Sequence, residues 1–140
     1  MASSTLLRGR TLSFRRWPDS LEDAAAYAYE QDGAVLMRDG RIVAAGNFAE
    51  VMAQAGDAKI VDHRPHLILP GFVDCHAHMP QMQVIASYGA ELLGWLNKYT
   101  FPEEKKFQNA QHGRRIARLF LDEMLRYGTT TVVAYCSVHK

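Results

Sequence analysis

Cysteine, net charge and long apolar runs are all scarce in this sequence. Cys75 and Cys136 are the two cysteines among 140 residues. They form no Cys-x-x-Cys pair, which excludes a disulfide framework, and a reducing, cytoplasmic compartment is expected. The 16 Lys and Arg nearly balance the 15 Asp and Glu. No one-signed field therefore extends over the surface to attract nucleic acid or an anionic membrane, and a small molecule is the expected partner. No apolar run approaches the roughly 20 residues that span a bilayer, and the first residues lack the apolar middle of a secretory signal. Acidic residues are absent from Met1 to Pro18, which carries Arg8, Arg10, Arg15 and Arg16. Transit peptides share that composition, but a strand over Thr5–Phe14 with solvent-facing arginines is the simpler reading.

What the chain does contain is a 48% hydrophobic fraction, enough for an ordinary core. Trp17-Pro18-Asp19 closes the first strand, because the residue before proline avoids the helical region. Ser20–Glu30 reads as a short helical turn or loop. Ala34–Met37 and Ile42–Ala45 are apolar runs joined through Asp39-Gly40, the pair that favours a type I′ hairpin. Asn47 can cap a helix over Phe48–Ala55 that Gly56 stops, and Lys59–Asp62 is a short strand. Nothing in this first part can perform chemistry, and it reads as a scaffold.

Farther along, Ala90–Asn97 reads as a short amphipathic helix with Leu92, Trp95 and Leu96 on one side, Trp95 as core rather than a stacking platform. Thr100-Phe-Pro-Glu103 has the form of a capping box, with Glu103 and Glu104 suited to a helix amino terminus. From Asn109 to Tyr127, Ile116, Phe120 and Met124 with Ala117, Leu121 and Leu125 form one broad apolar stripe, and Arg114, Arg115, Arg118 and Asp122 a solvated face. Gly128 is a natural left-handed stop. Thr129–Tyr135 follows as a β-branched strand expected to be buried on both faces. Strand, helix, strand makes a βαβ unit.

Chemistry concentrates in Leu67–Gln81, where an apolar run and a Pro-Gly turn lead into His76 and His78. Residues two apart on a strand leave one face roughly 6.6 Å apart along the chain. Both imidazoles can therefore lean toward one ion. A bare His-x-His is a weak signal, but this pair ends the first strand of a βαβ unit, the end at which α/β sheets and barrels build their sites. Asp74 shares the face, where it can orient an imidazole or tie the strand to its loop. Cys75 and Ala77 point the other way, Cys75 as a buried small apolar residue. His63 and His66 are expected to be exposed at the opposite end of the strand or in a loop, and His139 at the surface, none of them a ligand.

Pro70-Gly-Phe-Val-Asp-Cys-His-Ala-His78 resembles the strand-ending motif of the amidohydrolase superfamily. His78-Met-Pro-Gln81, Trp95–Glu103, Phe107-Gln-Asn109 and Gly128–Thr131 resemble, within it, the guanine deaminase family. The resemblance implies an α/β fold: the start of a (β/α)8 TIM-type barrel preceded by part of a small β-sandwich. It places residues 1–68 in the sandwich and 69–140 in the barrel. It implies hydrolytic deamination of guanine to xanthine and ammonia by zinc-activated water, with His76 and His78 as zinc ligands, Gln81 as the contact to the purine and a homodimer as the assembly. The His-x-Glu with Pro-Cys-x-x-Cys signature of cytidine-type deaminases is absent. Family members take further histidines, a glutamate and an aspartate from later strands. The expectation is thus an amino-terminal fragment, inactive alone, that a complementing carboxy-terminal polypeptide could complete. Two alternatives stay open: an aminohydrolase of other purines or pterins, and a non-catalytic remnant or interaction module.

Overall fold

Asp39 and Gly40 both adopt positive φ, 49° and 75°. Such angles define the type I′ turn whose twist matches that of its flanking strands. The hairpin they close joins β2 (Tyr27–Arg38) to β3 (Arg41–Asn47). The structure, a computed structural model, describes residues 4–139. The first three residues of the arginine-bearing amino-terminal stretch and Lys140 at the end of the expected barrel segment lie outside them. The chain divides into two compact units between Pro70 and Gly71.

In the first unit, β1 (Ser4–Phe14) lies between β2, which it pairs antiparallel, and β4 (Lys59–Ile68), which it pairs parallel. The sheet order is β3-β2-β1-β4. Alternation along the strands sends Leu6, Ala34 and Leu36 to one face, where they bury against Val51 and Ala55. Val51 belongs to α1 (Phe48–Met52), whose Asn47 side chain accepts from the Ala49 N–H. The helix is shorter than expected because its end tightens: Gln54 and Ala55 donate three residues back, to Val51 and Met52. On the same sheet face as Leu6, Arg8 forks onto Asp32 at 2.8 and 2.6 Å and covers the Phe48 ring at 3.7 Å.

Two sequence expectations shift here. β2 begins at Tyr27, after a single turn of 3-10 helix over Ala24–Ala26, so the irregular stretch is shorter than Ser20–Glu30. Leu67 and Ile68 end β4 rather than begin the histidine strand, and His63 and His66 lie exposed within β4 rather than in a loop. Pairing of β4 stops after Ile68, and the next strand starts at Phe72.

The second unit is built on β5 (Phe72–His78) and β6 (Thr129–Tyr135), which pair parallel. Between them run a 3-10 turn (Met79–Val84), α2 (Leu92–Trp95), a π turn (Leu96–Thr100), α3 (Phe101–Lys105), a 3-10 turn (Lys106–Gln108) and α4 (Ala110–Arg126). Thr100 does not start a helix as expected. Its dihedrals are helical and its side chain makes no capping bond. The helix runs through it because the turn ahead of Pro102 widens, with the Phe101 N–H bonding Leu96 O. Widening relieves the clash that a proline ring makes with the preceding turn.

The α4 stripe is narrower than its sequence pattern. Ile116 and Phe120 are buried, whereas Leu121 and Leu125 are 53% and 62% exposed. Within this unit α4 packs on β6 and the 79–84 and 106–108 turns, so only the face toward them is covered. For the same reason β6 is largely exposed rather than buried on both faces, since within this unit only α4 and the 79–84 turn pack against it besides β5. Asn109 caps α4 by accepting from Gln111 and His112, and Gly128, at φ 82°, turns the chain from α4 into β6.

Candidate functional site

The end of β5 gathers the site. Asp74 pairs with Val132 and Ala77 with Ala134, so β5 carries one extra residue against β6 around Cys75-His76. A bulge of this kind re-aims side chains at a strand end. Beyond it, the Nε2 atoms of His76 and His78 face each other at 3.1 Å. Two nitrogens held about 2.0–2.1 Å from one tetrahedral ion lie about 3.3 Å apart. The observed separation fits a shared ion, and the convergence of two ring nitrogens is what a cation would stabilise.

Asp74 does not reach an imidazole. Its Oδ1 accepts from the His76 backbone N–H at 2.9 Å, which makes it a tie across the bulge. Cys75 is exposed, a correction to the expected burial, because nothing in this unit covers that side of β5. Gln81 stands in the 3-10 turn after β5, with Nε2 3.3 Å from His78 Nδ1. The structure thus brings His76, His78 and Gln81 together. His139 is partly buried, its N–H directed at Ser137 Oγ. Among the described residues, no group of three or more His, Cys, Asp or Glu could hold a metal.

Two further residues belong to this cluster. Tyr135 lies opposite His78 in the strand register, and its ring packs on both imidazoles, with centroids 5.0 Å from His78 and 4.7 Å from His76. Its place at the end of β6, level with the end of β5, was the available sequence signal. Glu104 on α3 accepts from Gln81 Nε2 at 3.2 Å. Reading Glu104 only as a helix-terminus charge concealed this role, since nothing in the spacing of residues 81 and 104 shows that they meet. Beside the cluster opens an apolar cavity of ≈ 550 Å³, lined by Ala77, His78, Gln81, Trp95, Phe120 and Tyr127 among others. Trp95 is held there by its Nε1–H, which donates to Ser87 O at 2.9 Å.

Comparison with known proteins gives this geometry a context. A guanine deaminase of Escherichia coli (strain K12) is 36% identical over 135 residues, 95% of this chain and 31% of the relative. The crystal structure of a guanine deaminase from Bradyrhizobium japonicum superposes with a TM-score of 0.88 at 34% identity, covering 98% of this chain and 30% of that one. The chain is homologous to guanine deaminases. A guanine deaminase from C. acetobutylicum, crystallised with guanine bound in its active site, superposes with a TM-score of 0.75 at 28% identity, covering 98% of this chain and 31% of that one. The family model for an imidazolonepropionase-like composite domain of bacteria matches residues 33–58, which include the β2–β3 hairpin. The chain spans about a third of the length of the guanine deaminases it matches, and its mixed α/β fold resembles their amino-terminal region.

Proposed function

We propose that the chain contributes the first metal ligands and a substrate contact to a zinc-dependent guanine deaminase, which converts guanine to xanthine and ammonia. The observation that carries this reading is the 3.1 Å approach of the His76 and His78 Nε2 atoms with the Gln81 amide beside them. Homology to guanine deaminases across nearly the whole chain supports the substrate.

His76 and His78 would hold the zinc, which when bound would supply Lewis acidity, the means of activating water at neutral pH. Asp74 fixes the backbone that carries the imidazoles, and Tyr135 restricts their rings. Gln81 offers an amide, both donor and acceptor, to the edge of a base. The cavity beside it has the apolar walls that a flat heterocycle fills, with Trp95 and Tyr127 among them. In this reading the first unit is scaffold, and β5 and β6 are the first two strands of a (β/α)8 barrel. Catalytic zinc sites use three protein ligands, so two histidines require donors from elsewhere in the complete protein, and residues 4–139 do not turn over guanine by themselves. Unpaired Cys75 and Cys136 suit a cytoplasmic setting. No helix among the described residues is long and apolar enough to cross a membrane.

A chimera tests the proposal: this chain joined to the complementary remainder of the Escherichia coli relative, loaded with zinc and assayed on guanine. Turnover that disappears with His76→Ala or His78→Ala and falls with Gln81→Ala is the expected result. A folded, zinc-loaded chimera whose guanine turnover survives all three substitutions would overturn it.

A further inference from the structure

The Gln81 amide nitrogen carries two hydrogens, and two groups face it: the acceptor Glu104 Oε1 at 3.2 Å and the ring nitrogen His78 Nδ1 at 3.3 Å. For His78 Nδ1 to accept, the neutral ring must keep its hydrogen on Nε2. That is the nitrogen directed at His76. Once Nε2 is given to a metal, the hydrogen sits on Nδ1, and a ligating histidine donates it outward. Gln81 Nε2 and His78 Nδ1 then confront each other as donor against donor. The amide can resolve this by turning over, so that its oxygen accepts from His78. Turning would place that oxygen against the Glu104 carboxylate, acceptor against acceptor.

We propose that Glu104 is a positioning residue that prevents Gln81 from turning over, so that the amide serves the ligand rather than the metal site. Glu104 keeps the nitrogen end of the amide on α3. The second N–H and the carbonyl oxygen of Gln81 are then both unspent, on a side chain that lines the cavity. An adjacent donor and acceptor suit a heterocycle edge that presents the complementary pair. The device has a cost: His78 loses the outer hydrogen bond that would strengthen it as a ligand. This inference rests on the reading of His76 and His78 as metal ligands. Helix α3 thereby sets how the end of β5 divides its hydrogen bonds between metal and ligand.

The test is a zinc titration of the full 140-residue chain, followed through the ¹H–¹⁵N resonances of the His76 and His78 rings and the Gln81 amide. Glu104→Ala and the volume-keeping Glu104→Met are expected to shift the Gln81 amide resonances before zinc is added. They are also expected to tighten zinc by roughly tenfold, the lower end of what outer hydrogen bonds to ligating histidines contribute. Glu104→Gln, whose amide can itself turn to donate to the Gln81 oxygen, also releases the block and is expected to tighten zinc as Glu104→Met does. In a Gln81→Ala background the tightening vanishes. Unchanged amide resonances, unchanged or weaker zinc binding, or a gain that persists in Gln81→Ala would each overturn the proposal. A parent chain whose histidines ignore zinc would defeat the metal reading instead, and the zinc-free amide shift would still decide whether Glu104 holds Gln81.

Discussion

Tyr135 sits across from His78 in the β5–β6 register, and its ring stacks on the His78 imidazole with an interplanar angle of 18°. The parallel pairing of two strands thus becomes a constraint on two candidate ligands. Aromatic pairs contribute about 0.5–1.5 kcal/mol beyond their buried area. Tyr135→Ala should therefore weaken zinc binding by roughly two- to tenfold, while Tyr135→Phe, which keeps the ring, should leave it nearly unchanged. Zinc titrations of both variants, followed by histidine ring resonances, check this; equal losses in the two would point to the hydroxyl instead of the stack.

Removing either imidazole leaves one donor, which cannot chelate. His76→Ala and His78→Ala should each abolish the zinc response of the remaining histidine. Cys75→Ala should leave it intact, because among the described residues Cys75 does not join the histidines in a group of three that could hold a metal. Equilibrium dialysis of the three variants against zinc separates these outcomes.

The core of the second unit rests on few side chains. Ile116 and Phe120 are buried in α4, whereas Leu125 is mostly exposed. Ile116→Ala should cost about 2–5 kcal/mol and Phe120→Ala about 3–5 kcal/mol, the range for large-to-small changes in a core. Leu125→Ala should cost about 0.5 kcal/mol or less, as for a surface change. Denaturant unfolding read through Trp95 fluorescence, in variants with Trp17 replaced by Phe, reports on this unit.

In the first unit, side-chain hydrogen bonds from Arg64 hold the Asp62 carboxyl well below its ordinary range, and Arg8 lowers that of Asp32 in the same way. A carboxyl lowered on folding stabilises the native state above its unfolded pKa of about 3.9 and loses that contribution as pH falls through the folded value. The urea midpoint of the first unit, followed by far-ultraviolet circular dichroism, should therefore fall between about pH 5 and pH 2. The Asp32→Asn/Asp62→Asn double variant should show a flatter profile. High salt should shrink the difference, because these pairs are substantially exposed.

Local rules accounted for much of this protein. The Asp39-Gly40 turn, the Asn47 and Asn109 caps, the Gly128 stop and the two strands of the βαβ unit are set by residues close in sequence. The period of two along β5 likewise put His76 and His78 on one face, which needs no tertiary information. Burial was less legible. Leu121, Leu125 and the β6 side chains have the apolar character of buried positions, yet whether an apolar face is covered depends on what packs against it. The start of the α2–α3 segment misled for a related reason: Thr100–Glu103 satisfies a capping pattern, but a π turn carries the helix through it.

By itself, then, the sequence determined that His76 and His78 share one face of a strand and the order of the main strands and helices around them, because backbone stereochemistry and short-range hydrogen bonds act over a few residues. Gln81 was singled out by the resemblance to guanine deaminases. Tertiary structure decided that Asp74 ties backbone rather than an imidazole, that Tyr135 stacks on both rings and that Glu104 reaches Gln81. Those relationships join residues through a β-bulge, a strand register and the packing of a helix. None of these is encoded at any fixed spacing along the chain.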